Sequence, residues 1–254
     1  MIILIILHDG KVENKLYDNN EYIKMFWVGL MDGNGNIQVN NLRKKSLQYR
    51  LIIKLNSDKF NNNMLAKITK VIGGYIINLK KKNKEVIWVV DNIDTIYNCI
   101  KIFEKYPPLT SRLICQLNFL KVCLADISVE KYLIERNLKY NNQSNIINNF
   151  NNNFIIPSYF SSWLSGFIEA KGCFNLKEKG NHSFLIIHSD DYYLLNSIKN
   201  FFLLSVSVKN PSKAFYSLEI FKKESLNNII SHCKSYPLLG NKSKSLSLFI
   251  KYIS

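Results

Sequence analysis

At 254 residues the chain has room for one large domain or for two of about 100 to 150 residues, and either size closes a hydrophobic core. Its 34 Lys and Arg against 19 Asp and Glu leave a net charge of +15, an excess that solubility does not require and that a polyanion rewards through counterion release. Nucleic acid is the expected partner, because a membrane surface would call for a basic amphipathic segment or lipid anchor, and neither is recognisable.

The opening MIILIILHDG is apolar for seven residues before Asp9 and Gly10. That is too short to span a bilayer and lacks the basic start of a signal peptide, which leaves a buried strand or the remnant of an upstream fusion. Next comes FWVGLMDGNGNI at 26–37, read as a helix running into a strand. Alternation of apolar and polar residues predicts strands at 48–55, 85–90 and 215–220. Helical spacing fits 63–72, 93–104, 113–124, 192–202 and 223–234. Asn fills eight of the fourteen places at 140–153, where no apolar period is visible, and the stretch reads as a linker. Heavy use of Asn, Ile, Lys, Leu and Tyr is the mark of an AT-rich coding sequence, as in organellar genomes. The run Asn61, Asn62, Asn63 is assigned to that bias and to no function. Cys99, Cys115, Cys123, Cys173 and Cys233 form no Cys-x-x-Cys pair and lie among apolar residues, so reduced core thiols are expected, not a disulfide framework or a zinc site.

The chain repeats itself. SWLSGFIEAKGCF at 162–174 matches the first motif, with Gly29 and Gly166, Asp32 and Glu169, and Gly35 and Gly172 each 137 residues apart. EKYPPLTSR at 104–112 is echoed by KSYPLLGNK at 234–242, where Tyr106 matches Tyr236 and Arg112 matches Lys242 at an offset of 130. Each unit then reads helix, hairpin, helix, hairpin, helix, helix. Gly29 and Gly166 allow two helix backbones to approach closely.

The paired WVGLMDGNG and LSGFIEAKG, the matched ends and the linker resemble the single-chain, two-motif LAGLIDADG homing endonucleases and intron maturases of fungal mitochondria. The resemblance covers roughly residues 20 to 252. It implies an α+β fold of two pseudo-symmetric αββαββα units whose antiparallel sheets form a basic saddle over nucleic acid, in a monomer with an internal twofold. Residues 1–19 would be an N-terminal extension, 20–139 the first unit, 140–157 the Asn-rich linker and 158–254 the second unit. It also implies a mitochondrial location.

In this family the eighth motif position of each helix supplies a carboxylate, and the pair holds divalent ions against the scissile phosphates. Here those positions are Asn34 and Lys171. An amide oxygen is a weak substitute, and an ammonium offers only donors and a repelling charge. Asp32 and Glu169 lie two residues earlier, about 200° around the helix, and the resemblance gives them to the helix ends. The family's magnesium sites are therefore expected to be lost, with no cofactor replacing them, and Lys171 is expected to meet a phosphate directly. Arg112 and Lys242 match basic positions beside the scissile phosphates; solvated charges are the plain alternative. His188 falls near the place of a water-organising polar residue, although a lone histidine is more often structural.

Outward strand positions are the candidate contacts: Gln38, Asn40, Arg43, Lys44, Gln48, Arg50, Lys54, Lys80, Lys81 and Lys82 in the first unit, and Asn175, Lys177, Lys179, Lys209 and Lys213 in the second. Lys and Arg would neutralise phosphates, and Gln, Asn and Arg would read base edges. Three functions follow: an RNA-binding intron maturase that does not cleave, an rRNA-binding structural protein of a mitochondrial ribosome, and a DNA endonuclease with an altered site. The loss of both anionic ligands favours the first, and RNA over DNA as the ligand.

Overall fold

The computed structural model describes residues 19–42, 46–79, 84–125, 128–177, 180–212 and 215–253. The first unit runs α1 (Asn19–Asn34), β1 (Gly35–Leu42), β2 (Ser46–Asn56), α2 (Lys59–Ile72), β3 (Tyr75–Leu79), β4 (Glu85–Val90), α3 (Ile93–Lys105) and α4 (Ser111–Leu124). After α5 (Val129–Leu138) and α6 (Gln143–Asn153) the order repeats as α7 (Phe160–Lys171), β5 (Gly172–Asn175), β6 (Ser183–His188), α8 (Tyr192–Phe201), β7 (Lys209–Ser212), β8 (Phe215–Ile220), α9 (Lys223–Ser235) and α10 (Asn241–Ile253). The two antiparallel sheets have equivalent strand orders, β1-β2-β4-β3 and β5-β6-β8-β7.

Helices α1 and α7 are apolar on nearly every face because they lie at the centre, packed on each other and on both units. Phe26, Trp27, Val28, Leu30, Met31, Trp163, Leu164, Phe167 and Ile168 are all fully buried. A β-carbon on Gly29 would sit 2.9 Å from the Phe167 nitrogen, and one on Gly166 would sit 2.9 Å from the Leu30 nitrogen. Only glycine fits where the two backbones touch. Each sheet turns alternate residues toward this core, Ile37, Leu51, Ile53, Val86 and Trp88 in one and Phe174, Phe184, Ile186, Leu218 and Ile220 in the other. The opposite faces form the saddle.

Three expectations need correction. The Asn-rich stretch between the units, where no apolar period is visible, contains a helix, α6, and is preceded by a second unexpected helix, α5. Packing overrides the weak helix propensity of Asn: Ile147 and Phe150, one turn apart, lie against the core, and Phe150 meets Tyr193 at 5.0 Å between ring centroids. Helix α5 caps the exposed edge of β1, where the Tyr132 hydroxyl donates to the Val39 carbonyl at 2.7 Å. Helix α2 begins at Lys59 rather than at residue 63, because Asp58 caps it by accepting from the Phe60 and Asn61 nitrogens at 2.8 and 2.9 Å. Asn61, set aside as compositional bias, is buried and bonded on both ends of its amide.

All five cysteines are free, and burial pushes the Cys99 and Cys233 thiols up to about 12. The opening apolar segment lies outside the described residues. No described helix is long and apolar enough to cross a membrane.

Candidate nucleic-acid interface and twin-helix centre

The chemistry of the centre is decided by where each carboxylate points. Asp32, fully buried near the end of α1, accepts from the Leu109 nitrogen at 2.8 Å, the Thr110 nitrogen at 3.0 Å, the Thr110 hydroxyl at 2.5 Å and the Trp163 indole at 2.7 Å. Glu169, its counterpart on α7, accepts from the Gly240 and Lys242 nitrogens, both at 2.9 Å. Each acid therefore serves the otherwise unpaired N–H groups at the start of its own unit's last helix, α4 or α10. Burial pushes both carboxyl groups above the usual range, against the opposing pull of these donors.

A second pair of caps crosses between the units. Asp191 of the second unit accepts from the Ser111 nitrogen at 3.2 Å, and Asn61 of the first accepts from the Asn241 nitrogen at 3.0 Å. Neither was anticipated from sequence, although the two are 130 residues apart, the spacing of the Tyr106 and Tyr236 echo. His188 is buried and bonds Asp191 at 2.8 Å, which places it behind this cap.

The tips of the twin helices carry what is left. Asn34 is exposed and donates its amide to the Lys54 carbonyl at 3.2 Å. It shares a cavity of about 540 Å³ with Lys54, Asn61, Glu85, Glu169 and Lys242. Lys171 is half-buried, its stem against Gly33 of the other helix. Burial, and then the charge of Arg112, lower its pKa. Arg112 donates to the Gly35 and Asp32 carbonyls at 3.0 and 3.2 Å, closing the C-terminal end of α1. The motif tip of each unit thus faces the basic residue of the other.

A hard divalent cation needs anionic oxygens with free lone pairs aimed at it. The two acids at the centre face backbone N–H groups, and the tips supply an amide and an ammonium. Glu85, the remaining acid of the cavity, is paired with Lys54 at 2.9 Å. No group of three or more His, Cys, Asp or Glu among the described residues is placed to hold a metal. These donors do not fit the family's cation.

On the first saddle Gln38 stands opposite Arg50 and Asn40 opposite Gln48, with Lys54 farther along β2, all on the face away from the core. On the second, Asn175 faces the same way and bonds the Ser183 hydroxyl at 3.3 Å. Lys177, just beyond β5, pairs with Glu219 at 3.7 Å, and Lys209 on β7 is exposed. Arg43, Lys44, Lys80, Lys81, Lys82, Lys179 and Lys213 lie outside the described residues. Sequence reasoning missed Arg136 and Lys139, which with Asn36, Gln38 and Asn40 line a cavity of about 350 Å³ beside β1.

The profile described as LAGLIDADG endonuclease matches residues 27–123 and 164–253. A Debaryomyces hansenii protein named "Probable intron-encoded endonuclease aI3" is 47% identical over an alignment of 265 residues that covers 92% of this chain and 38% of that protein. A Dictyostelium citrinum protein of the same name is 43% identical over 244 residues, 94% of this chain and 98% of its own length. The chain thus spans well under half of the first relative and nearly all of the second. In three dimensions it is similar to the I-LtrWI LAGLIDADG homing endonuclease bound to target DNA, with a TM-score of 0.69, 20% identity and coverage of 92% and 90% of the two chains.

Proposed function

Because the chain belongs to the LAGLIDADG endonuclease family, we propose that it binds nucleic acid without cutting it and serves as an RNA-binding splicing cofactor of the intron-maturase type in mitochondria. The observation that carries this reading is the donor set at the twin-helix tips. Metal-assisted phosphodiester hydrolysis needs cations to activate water and stabilise the leaving oxygen. Asn34 and Lys171 replace both anionic ligands, while Asp32 and Glu169 are committed to helix caps. The net charge of +15 and the outward Gln38, Arg50 and Gln48 on the first sheet suit a polyanion and need no metal.

The names of the relatives favour a second reading, a DNA endonuclease with an altered site. The test is incubation of the purified chain with magnesium or manganese and the intron-less DNA target. The proposal expects no nicked or linear product, and efficient cutting would overturn it. RNA recovered with the chain from the organelle separates two non-cleaving roles: precursor RNA is expected, whereas a stoichiometric ribosomal subunit would move the assignment to a structural ribosomal protein.

A further inference from the structure

The two saddles differ where strand register says they should match. Gly35 pairs with Ile53 in the first sheet and Gly172 with Ile186 in the second. Counting three residues back from those partners, Arg50 is replaced by Ser183, and counting one forward, Lys54 is replaced by Ile187. The second saddle is also shorter, with β5 and β6 of 4 and 6 residues against 8 and 11 for β1 and β2.

Four of its polar groups are turned on one another. Asn175 donates to Ser183, Ser183 donates to Glu219 at 2.9 Å, and Lys177 pairs with the same Glu219. Beside this closed network stand exposed apolar side chains: Ile187 at 41%, Phe215 at 39% and Phe221 at 47% exposure. Phe215 shares the outward parity of Ser217 and Glu219 on β8. Phe221 lies on the same side, because the Lys177 ammonium that reaches Glu219 also stands 4.9 Å from its ring centroid.

Among the described residues such a face has few groups left for a phosphate backbone or for base edges in a groove. It presents the rings of Phe215 and Phe221 instead. Unpaired bases expose π-faces that stack on aromatic side chains, a contact closed to bases inside a duplex. We propose that the second saddle is a stacking platform for unpaired nucleotides, with Phe215 and Phe221 as its rings and Lys209 as a phosphate contact, while the first saddle holds the adjoining duplex. The inference rests on the nucleic-acid reading above and names the form of ligand, a duplex flanked by an unpaired segment.

The test uses the full chain and two fluorescent probes, a blunt RNA hairpin and the same hairpin with unpaired extensions of eight nucleotides at either end. The extended hairpin should bind at least about tenfold more tightly, and Phe215→Ala with Phe221→Ala should remove most of that gain. Phe215→Trp should retain it, and the blunt hairpin should bind all the variants within about twofold. Equal affinity for both hairpins, or alanine variants that keep the preference, would overturn the stacking platform and leave nucleic-acid binding intact. Failure of the folded chain to bind either hairpin would overturn both readings. Concentration-dependent self-association abolished by the same alanines would assign the face to a second copy of the chain and overturn the platform.

Discussion

Asp32→Asn asks whether the buried acid of the first motif is a helix cap or a metal ligand. The carboxylate accepts four hydrogen bonds, two on each oxygen. An amide of the same shape keeps one oxygen and turns its NH₂ toward two donors. Two bonds to a charged acceptor are then lost, worth about 1.5–3 kcal/mol each. Removing a buried charge returns part of that sum, since burial already disfavours the ionised form. The net loss is about 3 kcal/mol, a large share of the roughly 5–15 kcal/mol that stabilises typical proteins. Urea unfolding followed by tryptophan fluorescence is the assay, with Trp163, bonded to Asp32, as a native reporter. The midpoint should fall by roughly 1 M with little change in slope. A loss below about 1 kcal/mol would refute the cap assignment.

Gly29→Ala and Gly166→Ala should each destabilise the chain by more than the roughly 1–3 kcal/mol of ordinary overpacking, because the obstacle is backbone of the opposite helix, and thermal melts would show it. Lys171→Met should weaken nucleic-acid binding and reduce the salt slope of log affinity by about one, measured by anisotropy between low and moderate salt. An unchanged slope would remove Lys171 from the phosphate contacts. Burial pushes the His232 imidazole down to about 4, below its ordinary 6.5, so the unfolded chain binds the extra proton between those values. Stability should therefore fall as pH drops from about 6.5 toward 4, and His232→Phe should flatten that slope by up to one proton, read from urea midpoints at several pH values.

Much of the fold could be read from periodicity because its elements carry their own reason to form. The glycine-bearing motif helices, the alternating strands β4 and β8 and the amphipathic helix α3 lie where spacing put them. Helices α5 and α6 did not announce themselves, since Ile147 and Phe150 are too few to make a period and their partner Tyr193 lies 43 residues farther on from Phe150. The site divides in the same way. Asp32, Glu169, Asn34 and Lys171 were found because the motif repeats. Asn61 and Asp191 act across the pseudo-twofold, and an offset of 130 residues says that two positions are equivalent without saying whom they touch. The closed network of Asn175, Ser183, Glu219 and Lys177 depends on strand register, which alternation alone leaves open.

Manganese binding tests most directly the claim that the twin-helix tips do not suit a divalent cation. Titration of the native chain with Mn²⁺ in the presence of duplex DNA, followed by electron paramagnetic resonance, should show no site that depends on residue 34 or 171. The double variant Asn34→Asp with Lys171→Glu, which restores the anionic pair, should gain one. Saturable Mn²⁺ binding to the native chain that Asn34→Ala abolishes would contradict the account.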